Sequence, residues 1–217
     1  MSALAEPLVV QEPRTLDAHG RLQALCDPGS LNVMRSTVLP RRESKRMAPG
    51  DGVVGASGMV GGRPVYCYAQ DQSFAGGSLG EAHADTIIRV MELAERASAP
   101  VIGFIASGGA RMDDGVAALA GYGRIFRHNV RLSGRVPQIS VISGVSAGGG
   151  SYSPALTDFV VMTEESAMFL TGPGVVREVM GEDVDAAALG GPRVHSANGV
   201  SQFVAEDDLA SITRRTS

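Results

Sequence analysis

The chain has no tryptophan, and its 217 residues include only four tyrosines and six phenylalanines. So few rings leave little surface on which nucleic-acid bases could stack. A formal charge of −4 removes the field that would draw a polyanion, so nucleic acid is not an expected partner. Two cysteines, Cys26 and Cys67, are too few for a disulfide framework and have no C-x-x-C spacing. Both read as buried small apolar residues. No apolar run reaches the roughly 20 residues of a membrane span. Met1 to Pro13 carries Glu6 and Glu12 without a basic start, unlike a secretory signal. A cytoplasmic protein without membrane contact is expected. Metal-spaced histidines, a P-loop lysine and an evident carboxylate pair are also missing. No metal site is expected, so the chemistry must rest on backbone donors and on a bound substrate or cofactor.

What the chain does have is glycine, 28 residues of it, well above the roughly 7% usual share and without a repeat period. Each is read as placed singly, at a turn or a close backbone approach. Ala106-Ser107-Gly108-Gly109-Ala110-Arg111-Met112 and Gly144-Val145-Ser146-Ala147-Gly148-Gly149-Gly150 each end an apolar, β-like run. Where a strand gives way to a helix, residues without side chains leave N–H groups pointing into open space, and the helix dipole adds partial positive charge. Two such turns brought together hold one developing oxyanion. That suits chemistry on a thioester carbonyl, where an enolate or tetrahedral oxygen needs fixed donors.

With 44% apolar content, the length suits one domain with one core. Leu16, Leu22 and Leu25 have helical spacing over 15–26, stopped by Asp27-Pro28-Gly29. The basic stretch Arg41-Arg42-Glu43-Ser44-Lys45-Arg46 lies between Pro40 and Pro49 and reads as a loop. It either meets the phosphates of a nucleotide-like handle or is simply solvated. Val53-Val54, Met59-Val60 and Val65 to Ala69 read as strands, the last two joined through Gly61-Gly62-Arg63-Pro64. Residues 81–97 set Ile87, Val90, Met91 and Ala94 at helical intervals. A strand over Val101 to Ile105 follows, then the first glycine turn, then a helix with Val116, Leu119, Gly123, Phe126 and Val130 down one side. Ile139 to Ile142 repeats the strand. The second turn, a helix over Gly150 to Leu156 and a strand over Phe159 to Met162 complete the pattern. Alternating strands and helices predict an α/β fold with right-handed crossovers, its strands covered on both faces.

Two motifs compete with the oxyanion reading. Gly50-Asp51-Gly52-Val53-Val54-Gly55 fits G-x-G-x-x-G, but it opens a strand where a dinucleotide site needs a helix, so it is read as a plain turn. Gly144-Val145-Ser146-Ala147-Gly148 fits the nucleophile elbow G-x-S-x-G in the required strand-to-helix context. A hydrolase of that kind would pair Ser146 with Asp183 or Asp185 and His195; the plainer reading makes His195 a turn residue. Arg111 either holds an anionic part of a substrate or pairs with Asp113, Asp114 or another carboxylate.

Pro49-Gly50-Asp51-Gly52-Val53-Val54, Gly76-Gly77-Ser78-Leu79-Gly80-Glu81-Ala82-His83, Ser107-Gly108-Gly109-Ala110-Arg111, Leu119-Ala120-Gly121-Tyr122-Gly123 and Tyr152-Ser153-Pro154-Ala155-Leu156-Thr157-Asp158 together resemble the carboxyltransferase β-subunits of biotin-dependent acyl-CoA carboxylases, the propionyl-CoA carboxylase type above all. Thr171-Gly172-Pro173, Leu189-Gly190-Gly191 and Ala205-Glu206-Asp207-Asp208 continue the likeness along nearly the whole chain. The resemblance implies a crotonase-like α/β fold of ββα units in a single domain over 49–210. An N-terminal helix and basic loop precede it over 1–48, and a polar tail follows over 211–217. It implies transfer of a carboxyl group from carboxybiotin, with the biotin on a partner carrier protein, to the α-carbon of a short acyl-CoA. Deprotonation is then assigned to biotin. By the same resemblance, Gly108 and Gly109 supply one set of oxyanion donors and Gly148 and Gly149 another. Gly76, Gly77, Ser107, Ala110, Arg111, Ser146 and Ala147 are placed around the substrate.

Subunits of that family carry a second, homologous half that completes the site. The expected partners are therefore a C-terminal carboxyltransferase half, a biotin carboxyl carrier or biotin carboxylase subunit, and further copies in an oligomer. Three other readings stand beside this one: a decarboxylase subunit using the same enolate site, a crotonase-like hydrolase using Ser146, and a non-catalytic assembly domain.

Overall fold

Asp17 accepts the Gly20 N–H at 2.6 Å and starts α1 (Ala18–Leu25). In this computed structural model, which describes residues 15–40 and 48–213, α1 lies over a sheet whose first three strands are antiparallel: β1 (Asn32–Arg35), β2 (Val53–Val60) and β3 (Arg63–Gln70). The basic loop Arg41 to Arg46 falls outside the described residues. Val53-Val54 and Met59-Val60, read as separate strands, are the two ends of β2. Its middle stays extended because glycines there admit helices on both faces. A Cβ on Gly55 would meet Val90 at 2.9 Å, and one on Gly58 would meet Cys26 Sγ at 2.4 Å. The Asp27 carboxylate takes the N–H groups of Gly61 and Gly62 at 2.9 and 2.8 Å, tying the stop of α1 to the β2–β3 turn.

Then come α2 (Glu81–Ala97), β4 (Val101–Ser107), α3 (Val116–Leu132), β5 (Gln138–Ala147), α4 (Gly149–Ala155), β6 (Phe159–Thr163) and β7 (Ala167–Phe169). The short elements α5 (Pro173–Met180), α6 (Ala186–Gly190), α7 (Pro192–Ala197), β8 (Phe203–Ala205) and α8 (Asp208–Thr213) close the described chain. The sheet order is β1-β2-β3-β4-β5-β6-β8, with β7 added beside the far end of β5, and every pairing from β3 onward is parallel. All seven residues of β4 are buried. Val101 and Ile105 face α2 and α3, while Ile102 and Phe104 face the layer under α1 with Ala18, Leu22, Cys26 and Cys67. The two cysteines are free and buried. No helix of the described residues is long and apolar enough to cross a membrane.

The packing of α3 corrects the sequence reading. Val116, Leu119 and Val130, on the side picked out by apolar spacing, are 81%, 63% and 65% exposed. The inward face is Ala118, Gly121, Tyr122, Ile125, Asn129 and Leu132. Gly121 lets α3 approach α2 so closely that a Cβ there would fall 2.8 Å from that of Ala84. Asn129 goes inside because both ends of its amide are paired, donating to Gln138 Oε1 at 3.0 Å and accepting from Ser153 Oγ at 3.1 Å. Small size and hydrogen bonding outweighed hydrophobicity in choosing the face.

Candidate active site

β4 and β5 are parallel neighbours that end level with one another, Ile105 paired with Ile142 and Ser107 with Ser146. Beyond Ser107 the chain turns through Gly109 at φ +97°, and beyond Ala147 through Gly148 at φ +55°. The two turns lie against each other. A Cβ on Gly109 would sit 3.3 Å from the Ala147 carbonyl oxygen, and one on Gly150 would sit 3.0 Å from Ser107 Cβ.

Which N–H groups remain open follows from accounting for each one. The Gly108 N–H donates to Gly76 O at 2.9 Å, Leu79 N–H to Gly109 O at 2.8 Å, and Arg111 N–H to Leu79 O at 2.9 Å. The 76–79 loop therefore runs beside the first turn like an extra strand. Gly77 makes that possible, at φ +69° with room for no Cβ, since one would fall 1.9 Å from Ala106 O. Gly148 N–H donates to Phe169 O at 3.0 Å. Gly109 N–H reaches Ser107 Oγ at 3.3 Å. Among the described residues, no backbone acceptor faces the N–H of Ala110, Gly149 or Gly150. Two of the expected donors, Gly108 and Gly148, are thus committed to the fold, because a strand-end amide beside another extended segment pairs with it. Gly76 and Gly77 stand behind the first turn and hold it.

Arg111, expected to hold an anionic part of a substrate or to pair with Asp113, Asp114 or another carboxylate, takes the last of these courses and forms a buried ion pair with Asp51, from the very turn set aside as a plain G-x-G-x-x-G match. It also donates to Ser78 O at 2.8 Å and Asp51 O at 3.3 Å, with the Phe74 ring 5.3 Å from its guanidinium carbon. At 5% exposure it has no free face for a ligand anion. Asp51 also accepts the His83 N–H at 3.0 Å. Burial pushes the Asp51 carboxyl above its ordinary range, against the opposing pull of Arg111 and the His83 N–H. Gln70 joins this network to the turn: its Oε1 accepts the Ala106 N–H at 3.1 Å and its Nε2 lies 3.2 Å from His83 Nε2. The amide is the donor there, so His83 Nε2 accepts and Nδ1 donates to Asp51 O at 3.1 Å. Complete burial, reinforced by the Arg111 charge, brings the His83 pKa down to about 3.

The elements of a serine hydrolase do not meet. Ser146 is fully buried, and its hydroxyl has no partner among the described residues. His195 donates from Nε2 to Met168 O at 2.6 Å, Asp183 pairs with Arg177 in an exposed contact, and Asp185 caps α6 through the Ala188 N–H at 2.7 Å. Tyr122 is the contact residue that sequence reasoning missed. Its hydroxyl lies 2.9 Å from Ser107 Oγ, and its ring packs on Gly149. Burial raises its pKa to about 12. The signal was present in Gly121-Tyr122-Gly123, an aromatic flanked by glycines, but no periodicity marked it as facing the turns.

The model of the carboxyl transferase domain family matches residues 15–215. A putative propionyl-CoA carboxylase beta chain of Bacillus subtilis (strain 168) is 54% identical over 187 residues, covering 84% of this chain and 36% of that protein. The solved transcarboxylase 12S hexamer with methylmalonyl-coenzyme A and methylmalonic acid bound superposes with a TM-score of 0.89 at 45% identity, over 91% of this chain and 40% of that one. A Pseudomonas malonate decarboxylase hetero-tetramer in complex with malonate gives a TM-score of 0.87 at 28% identity, over 95% of this chain and 83% of that one. The fold is thus the crotonase-like α/β arrangement. The chain spans about two fifths of the length of the first curated relatives it matches.

Proposed function

We infer this chain's function from its kinship: it belongs to the carboxyl transferase domain family. It is the acyl-thioester-binding half of a carboxyltransferase that moves a carboxyl group to the α-carbon of a short acyl-CoA by way of an enolate. The observation that carries this is the pair of touching turns whose Ala110 and Gly149 N–H groups remain open. A thioester oxygen seated between them meets two fixed donors. When the α-carbon loses its proton, negative charge gathers on that oxygen, and the donors hold it without reorganising. The enolate carbon then forms the new C–C bond to the carboxyl carbon, and the thioester carbonyl is restored.

Biotin on a carrier partner would supply both the CO₂ and the base. The residues fit that division of labour. Tyr122, the titratable side chain in contact with both turns, has its pKa raised to about 12 and cannot serve as a base near neutral pH. The second half comes from a C-terminal carboxyltransferase domain in a larger oligomer. The exposed apolar side of α3, with Met112 next to it 91% exposed, supports a docking surface there for that half.

Decarboxylation is the second reading, favoured by the 83% coverage of the malonate decarboxylase chain. The same donors stabilise the same enolate when CO₂ leaves.

The test is an amide-to-ester exchange at residue 110, made by incorporating lactic acid in place of alanine. It removes the Ala110 N–H and weakens the Gly109 carbonyl that accepts from Leu79, with thermal melting run alongside to check that the loop stays in place. In the assembled enzyme, transfer to propionyl-CoA should fall by about 10²–10³-fold. A rate equal to that of the unaltered enzyme would sink the oxyanion assignment, and loss of methylmalonyl-CoA without transfer would select the decarboxylase.

A further inference from the structure

We propose that Tyr122 is a positioning residue: it sets the separation of the two open donors by holding the first turn through Ser107 and the second through Gly149. The inference rests on the thioester reading given above.

Tyr122 lies on the buried face of α3, 5% exposed, and touches both turns. On one side its hydroxyl meets Ser107 Oγ at 2.9 Å, and the same oxygen accepts the Gly109 N–H at 3.3 Å. A short hydrogen-bonded chain thus runs from α3 to the amide next to Ala110. On the other side, a Cβ on Gly149 would fall 2.6–2.7 Å from three ring carbons, so the ring lies directly on the glycine α-carbon. Gly149 has no left-handed backbone that would demand glycine; it is glycine because the ring is there. The ring is itself braced. Phe126 lies 5.9 Å from it, centre to centre, and Tyr152 of α4 lies 5.9 Å beyond Phe126. One residue of α3 is therefore in contact with the turns beyond both β4 and β5, and the ring stack ties α4 to it.

The consequence is geometric. An oxyanion gains from both N–H groups only when each lies within about 2.7–3.1 Å of it, and misplacement by about 1 Å costs on the order of a hundredfold. Among the described residues the two turns touch where Gly109 meets the Ala147 carbonyl, but no backbone hydrogen bond joins Ala110 or Gly149 to the other turn. Tyr122 contacts both turns from α3, and on this proposal it fixes the spacing of their donors beyond that direct touch.

Tyr122→Phe keeps the ring on Gly149 and removes the hydroxyl; Ser107→Ala removes the other end of the same link. Two readouts apply to both variants. In the full chain, amide NMR should show the Gly109 and Ala110 resonances shifted and Gly109 exchange faster by about tenfold or more, with the α2 amides unchanged. In the assembled enzyme, kcat for carboxyl transfer should fall by about tenfold or more at nearly constant KM, and the double variant should lose no more than either single one. A purely structural role would instead lower the melting temperature and leave kcat of the folded enzyme alone, which overturns the proposal, as do unchanged Gly109 and Ala110 resonances. An unaltered enzyme that neither transfers a carboxyl group to a short acyl-CoA nor decarboxylates methylmalonyl-CoA removes the thioester reading and the positioning role with it. Because that result appears before any substitution is made, the two failures are distinct.

Discussion

Asp51 and Arg111 stand 60 residues apart and form an ion pair with side chains 0% and 5% exposed. The pair fastens the start of β2 to the first glycine turn, and through His83 and Gln70 it reaches the Ala106 N–H. The backbone of the first glycine turn is therefore held from behind by buried charge.

Removing one member of such a pair strands the other in a medium that cannot solvate it, at a cost of about 3–5 kcal/mol. Asp51→Asn and Arg111→Met should each lose stability on that scale. The double variant should lose clearly less than the two together, because no charge is left unpaired. Denaturant titration of the three variants measures this; strictly additive losses would show that the pair is not coupled.

His83 makes stability depend on acidity. Its folded pKa is about 3, below the usual 6.5, chiefly through burial. The folded protein therefore keeps His83 neutral while the unfolded chain takes up a proton below pH 6.5. Stability should fall as pH drops from 6.5 towards 3, at up to about 1.4 kcal/mol per pH unit from this group. In His83→Gln the slope of unfolding free energy against pH between 6 and 4 should be shallower by about one proton. Equal slopes in both proteins would mean that His83 is not held neutral.

Gly77 and Gly61 both have left-handed backbones, at φ +69° and +55°, but only Gly77 is crowded. A Cβ there meets Ala106 O at 1.9 Å, whereas one on Gly61 meets nothing within 4 Å. Gly61→Ala should cost about 1–2 kcal/mol, the conformational penalty alone. Gly77→Ala should cost more than that and should also abolish thioester binding, since the loop must leave the turn. Thermal melts together with calorimetry of propionyl-CoA decide it. Equal costs with binding retained would refute the role given to the 76–79 loop.

Much of the frame was legible in the sequence because local pattern determines it. The stretch 81–97 alternates apolar and charged residues with helical period and is helical from Glu81 to Ala97. The glycine clusters fall at the ends of β4 and β5, where the apolar runs stop. What stayed hidden depends on partners distant in the chain. Gly108 looks like an open donor until Gly76, from another loop, takes its N–H. Arg111 looks like an anion site until Asp51 arrives from 60 residues away. β1, from Asn32 to Arg35, carries no alternation of its own and extends only because β2 offers an edge. On α3, spacing alone could not tell an apolar side that packs inward from one left for another chain.

That exposed side gives the last prediction. Val116, Leu119 and Val130 run along α3, Met112 precedes it, and Tyr152 of α4 lies beside Phe126. Contiguous exposed apolar surface of this kind marks an interaction face. Neither Val116 nor Leu119 belongs to the core, whose residues on α3 include Ala118, Gly121, Tyr122, Ile125 and Leu132. Val116→Glu with Leu119→Glu should therefore leave the fold and melting temperature of the chain close to unchanged. Burying two carboxylates without partners is costly, so association with the second carboxyltransferase half should weaken by at least about a hundredfold. Co-purification and analytical ultracentrifugation of the mixed halves provide the measurement. If the doubly charged chain assembles as tightly as the original, the second half docks elsewhere, and the apolar side of α3 belongs to a different contact.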